Sequence, residues 1–144
     1  MSLLCLGTLV FSQNVGGTAG PCSAFPIPPP YTKPITLFGA TPGASSTSSS
    51  SCDSSSYGPT VWYTITPVAG SPVNITTCNP GTNYDTVISV YTGSCNSLSC
   101  TVYNDDAPSC TYNNSTGGLS TLSFVPTSNT VYYLAVGGYA TNQG

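Results

Sequence analysis

VWYTITP (residues 61–67), PVNITTCNPGTNYDTVISVYTGSC (72–95) and LSCTVYNDD (98–106) decide the fold of this 144-residue chain. Val, Ile, Thr and Tyr crowd each run, and Gly, Asn and Pro separate them, the pattern of short β-strands joined by turns. In the second run Ile88 and Val90 point one way and Val87 and Ser89 the other. That is the two-residue period of a strand, not the 3.6-residue period of a helix. Two acidic spots, Asp85 and Asp105-Asp106, stand at loop ends of this block.

Working outward, the same residue types predict strands over 61–66, 73–77, 86–91, 99–103, 119–125 and 130–137, with one more over 35–38. Leu122 and Phe124 share a face in the fifth of these. No stretch reads as a helix. Short strands at this spacing predict an all-β chain, an antiparallel β-sandwich or jelly roll.

Charged residues make up 3% of the chain, against roughly 25% in an average soluble domain. Lys33 is the one cation, and Asp53, Asp85, Asp105 and Asp106 are the only acids. One Lys cannot release the counterions of a nucleic-acid backbone, which excludes DNA and RNA as partners. No apolar run is long enough for a membrane-spanning helix. Without His no Ser-His-Asp triad can be built, and nothing points to a cleft holding a tuned carboxylate pair. The chain therefore reads as a non-enzyme. A surface so poor in charge favours association, and Ser, Thr, Asn, Gly and attached sugar must supply its polarity.

Seven cysteines without a histidine make a poor zinc site and a good disulfide framework for an oxidising, extracellular setting. Six of them, Cys22, Cys52, Cys78, Cys95, Cys100 and Cys110, are read as three bridges, leaving Cys5 over. Among the fifteen pairings that six cysteines allow, the reading is Cys22–Cys52, Cys78–Cys110 and Cys95–Cys100, the last because only a short loop separates its members. Asn74, Asn113 and Asn114 begin sequons for N-linked sugar. The Ser-rich segment 43–59 is either a bare surface loop or one carrying O-linked sugars.

Asp85, Asp105 and Asp106 are the only residues that suggest site chemistry. One reading is a pair of loops that holds calcium, since hard cations take carboxylate and carbonyl oxygens; the other is that each carboxylate accepts backbone N–H groups and fixes its turn. Residues 1–14, MSLLCLGTLVFSQN, read either as a secretion signal cut before Gln13 or as a β-strand over 7–15. The strand is preferred. It gives a chain divided into an N-terminal strand segment (1–15), a Gly/Pro-rich connector (16–34) with extended polyproline at 28–30, and a sandwich (35–144).

Cys22-Ser-Ala, Phe38-Gly-Ala-Thr, the 61–66 strand, Thr77-Cys78, the run from Tyr84 to Cys95, Leu98, Asn104-Asp-Asp and the run from Val131 to Tyr139 together resemble the bacterial pre-peptidase C-terminal (PPC) domain family, in order, over about residues 21–144. The resemblance implies a small, non-catalytic, jelly-roll-like sandwich attached to secreted proteases and other extracellular proteins, some relatives of which bind calcium or assist substrate binding. Members of that family continue after the Gly-Gly-Tyr segment into one last apolar strand. This sequence has Tyr139-Ala-Thr-Asn-Gln-Gly144 there, while Thr8, Leu9, Val10 and Phe11 look like the missing piece.

An open groove of unpaired backbone templates strand addition. If the N-terminal strand fills the groove of a neighbouring copy, a head-to-tail filament follows; if it fills its own, a closed, circularly permuted monomer results. The preferred reading is an extracellular, glycosylated structural subunit whose partners are other copies of itself. The alternative is a glycan- or protein-binding accessory module of a larger secreted hydrolase or adhesin.

Overall fold

A computed structural model describes residues 8–11, 20–31, 35–37, 41–44, 52, 57–112 and 115–144. The strands are β1 (Thr8–Phe11), β2 (Phe25–Pro26), β3 (Ile35–Leu37), β4 (Tyr57–Ile65), β5 (Val73–Thr76), β6 (Thr86–Ser94), β7 (Ser97–Asn104), β8 (Thr111–Tyr112), β9 (Ser115–Thr116), β10 (Thr121–Phe124) and β11 (Tyr132–Tyr139). A three-residue 3-10 turn, Pro21–Ser23, is the only helical element among the described residues. The chain is thus all-β, and two sheets form a sandwich.

The larger sheet has the order β2-β4-β11-β6-β7. Its long strands pair antiparallel: Leu134 stands opposite Tyr63 on one side and Val90 on the other. β4 begins at Tyr57, earlier than the hydropathy pattern places it, because β11 runs on far enough to pair Tyr139 with Tyr57. β6 and β7 form a hairpin in which Ser94 faces Ser97, leaving Cys95-Asn96 as the turn. Gly93 just before it has φ +105°, and a Cβ there would stand 2.4 Å from the Ser97 carbonyl, so only glycine fits.

The smaller sheet has the order β10-β5-β1-β3. β10 pairs antiparallel with β5, but β1 pairs parallel with both neighbours. The antiparallel pairing expected of the sandwich thus holds for the long strands and for β10 with β5, and β1 adds parallel pairs to it. The cause is topological: the chain leaves β1, visits the larger sheet as β2, and returns as β3, and such a crossover brings two strands of one sheet back in the same direction. In this structure β1 of the same chain completes the smaller sheet.

Between the sheets lies one apolar core. Ile75, Leu122 and Phe124 of the smaller sheet meet Tyr63, Ile88, Val90, Leu134 and Val136 of the larger. Ile75, Ile88, Val90 and Leu134 are fully buried, and each such side chain contributes about 1.5–3 kcal/mol. β6 is buried on both faces: Val87 and Ser89 are 2% exposed although they point away from this core. The outer face of the larger sheet is itself covered, with Trp62, Tyr91 and Ala135 packed under Ala24, Cys52 and Leu98.

Two disulfides build that cover. Cys22 pairs with Cys95 and Cys52 with Cys100, Cα–Cα 4.8 and 5.1 Å; Cys78–Cys110 forms as read from the sequence. The expected Cys22–Cys52 and Cys95–Cys100 bridges are therefore wrong. In the hairpin Cys100 faces Tyr91 while Cys95 lies in the turn. Three residues of strand, roughly 10 Å at ~3.4 Å each, separate the two levels, beyond the ~7 Å Cα limit of a bridge. Both cysteines instead capture chain from upstream and hold it over the sheet.

The described part of the connector, residues 20–31, is likewise fastened. Ile27 is buried and its N–H donates to the Thr64 carbonyl at 2.8 Å. The Tyr31 hydroxyl donates to the Ile27 carbonyl and accepts the Thr66 N–H. The Pro29-Pro30 peptide is cis, where an extended polyproline segment was expected.

Candidate functional site

Two places in this frame bring sequence-predicted residues together. The first is the slot between β5 and β3. Leu9 stands opposite Ile35 on one side and Ile75 on the other, Val10 opposite Thr36 and Thr76, and Thr8 opposite Asn74. β1 is thus a central strand, although it is only four residues long and lies upstream of every other element. Without it β5 would present an unpaired edge and β3 would lose its only partner in the sheet.

The second is the end of the sandwich where β6 begins and β7 ends. Their antiparallel register sets Ile88 opposite Asn104, which carries Asp85, just before β6, toward Asp105 and Asp106, just after β7. One oxygen from each carboxylate lies within 4.8 Å of the others. Asp106 Oδ1 accepts the Gly118 N–H. Gly117 and Gly118 both have positive φ, +94° and +78°, and a Cβ at Gly117 would come 3.0 Å from Asp106 Oδ1. The glycine pair lets the loop wrap the carboxylate, so Asp106 fixes its turn as the bland reading expects.

Asp85 differs. Its Oδ1 is buried with no hydrogen-bond partner, while its carbonyl accepts the Tyr139 N–H at 3.1 Å. Burial, and then the neighbouring Asp106 carboxylate, raise its pKa above the ordinary carboxylate value. A hard divalent cation would relieve both effects, so an orphaned oxygen among three carboxylates fits calcium, with Asp85, Asp105 and Asp106 as the residues that would hold it.

Under the carboxylates lies a buried hydroxyl cluster that sequence reading missed. Thr77 Oγ1 and Thr86 Oγ1 are 2.7 Å apart; the Ser120 hydroxyl lies against both the Thr86 carbonyl, at 2.5 Å, and the Asp105 carbonyl, with one proton to share between them. The Ser120 N–H donates to Thr77 Oγ1, and the Thr77 N–H to the Ser120 carbonyl, both at 2.9 Å. Thr77, Thr86 and Ser120 are at most 2% exposed. The cluster knots the end of β5, the start of β6 and the approach to β10. The Gly117-Gly118 pair is the one cue in the sequence to a special loop at this end. Beside it the Cys78–Cys110 bridge borders a cleft of about 400 Å³ lined also by Asn79, Ser109 and Thr111.

Of the sugar acceptors, Asn74 sits in β5, half-buried, on the side opposite Ile75 and so on the outer face of the smaller sheet. Asn113, Asn114 and Cys5 lie outside the described residues, as does Lys33. Among the described residues no helix is long and apolar enough to cross a membrane, and three disulfides fit a protein matured in an oxidising compartment. No protein-family model, curated protein or solved structure matches the chain.

Proposed function

We propose that this protein is an extracellular structural subunit, related to the PPC-like sandwiches, that assembles head-to-tail by placing β1 in the slot of a neighbouring copy. The observation that carries the reading is the position of β1. A four-residue strand near the N-terminus sits between β5 and β3, so a central position of one sheet is filled by a short segment that precedes every other described element. The bonds it makes within one chain are available unchanged in another copy, which is the condition for exchange of an identical element. A near-absence of charge, 3% of residues, supports the same reading. Lys and other charges are the usual guards against strand addition, and this chain has almost none to use.

Deleting residues 1–14 tests the proposal. Concentrated wild-type protein is expected to form filaments visible by negative-stain electron microscopy, and the truncated chain none. Filaments that survive the deletion would rule the mechanism out. The cleft beside Cys78–Cys110, with polar Asn79, Ser109 and Thr111 in its wall, supports the alternative of an accessory module that binds a polar ligand such as a glycan. Glycan-array binding by the truncated monomer would favour that alternative.

A further inference from the structure

We infer that the exchanged element is the arm upstream of Cys22, and that it enters a second copy's smaller sheet parallel to β3 and β5, in the register β1 holds within one chain. The inference rests on the strand-donation reading above. All six bridged cysteines lie at or after Cys22, so none of the three described bridges has a half upstream of it. Cys22 itself is tied to Cys95 in the β6–β7 turn, which roots the arm on the larger sheet. β1 can leave the smaller sheet without breaking a covalent bond and without disturbing the long antiparallel strands.

The length of the arm decides how far it can go. From Phe11 to Cys22 the chain makes 22 − 11 = 11 steps, each at most roughly 3.6 Å, a reach of about 40 Å. A domain of this size has a radius of gyration of about 15 Å, hence a diameter near 40 Å. The arm reaches an adjacent copy and cannot skip one. The slot specifies its occupant through backbone pairing on both sides, Leu9 with Ile35 and Ile75, Val10 with Thr36 and Thr76, so the partner it fits is β1 of a second copy. Because donor and acceptor surfaces are different, each copy gives one arm and takes one, and the contact propagates.

Cross-linking across the register reads out which copy supplies the strand. In a Cys5→Ser background, Val10→Cys with Thr76→Cys is oxidised after assembly, and the pelleted and soluble fractions are run on denaturing, non-reducing gels. The expected result is a covalent ladder in multiples of 14.7 kDa from the pellet and a single cross-linked monomer from the soluble fraction. Thr8→Cys with Asn74→Cys, two pairs back along the same register, repeats the test should the first pair fold poorly. A pellet that gives only cross-linked monomer would overturn the inference while leaving self-assembly by another contact in place. A ladder from Thr8→Cys with Thr76→Cys, but not from the register pairs, would overturn the parallel direction, and assembly that requires a reductant would overturn the boundary at Cys22. If no variant and no wild-type sample assembles at any concentration, the proposed function falls, and this inference with it.

Discussion

The two sheets of this sandwich are held together by different means. The larger one rests on four strands of eight or nine residues, paired antiparallel, and its outer face lies under chain fastened by Cys22–Cys95 and Cys52–Cys100. The smaller one has strands of three or four residues, and a strand that no disulfide reaches occupies a central place. One half is a covalently braced scaffold; the other has at its centre a short strand outside the three bridges. The proposed strand donation would draw on both, a scaffold that stays folded and a strand that can be offered to a neighbour.

The sharpest way to break this comparison is to damage each half separately. Leu134 is fully buried where both sheets meet, so Leu134→Ala is expected to lower global stability by about 2–5 kcal/mol, read from urea unfolding. Leu9→Pro should act locally instead. Proline removes a ladder N–H from a strand paired on both sides, so amides of β3 and β5 lose hydrogen-exchange protection while those of β4, β6 and β11 keep it. Equal loss of protection in both sheets would mean that β1 is an integral part of one cooperative unit, and the contrast would fail.

The staples come next. Replacing Cys22 and Cys95 by Ser is expected to cost about 2–4 kcal/mol, and Cys52 with Cys100 about the same, because closure entropy changes only slowly between loops of 73 and 48 residues. Thermal unfolding under non-reducing conditions measures both. Only the first pair should also change assembly, since it alone anchors the arm.

Much of this was legible in the sequence, and the misses share a cause. Alternating β-branched residues located the strands, and loop-end carboxylates located the acidic cluster, because both signals are local. The direction of β1 was not legible: a two-residue period has no polarity, and the crossover through β2 depends on a contact between Phe25 and Tyr63, far apart in sequence. Disulfide pairing failed for the same reason. Cys95 and Cys100 are neighbours in sequence but occupy different levels of a hairpin, and only the folding of residues 20–24 and 52 over the larger sheet shows what each one meets. Val87 and Ser89, which alternation alone assigns to solvent, are buried as well.

The hydroxyl cluster gives a smaller effect than the staples. Thr77→Val keeps the volume but removes the oxygen that accepts the Ser120 N–H and meets Thr86 Oγ1. Leaving a buried donor unsatisfied costs about 1–3 kcal/mol. Chemical denaturation is expected to show that loss with little change in the slope of the transition, since the surface exposed on unfolding stays nearly the same. A neutral outcome would mean that water enters the knot and replaces the lost oxygen.

The smallest effect is at Asp85, and its sign is informative. The folded state raises the pKa of this carboxyl above its ordinary value, so the fold binds a proton more tightly than the unfolded chain does. Its contribution is therefore greatest at low pH and falls as pH rises through the window between the unfolded and folded values. In the presence of EDTA, Asp85→Asn is expected to raise the melting temperature slightly at pH 7, with the gain vanishing as pH drops below the carboxylate range, where Asp85 is already neutral. Added calcium should reverse the order: wild-type protein gains stability from a cation among Asp85, Asp105 and Asp106, and Asp85→Asn gains less. If Asp85→Asn instead lowers the melting temperature in EDTA, the ionised Asp85 is well solvated at this end of the sandwich, and the carboxylates do no more than fix their turns.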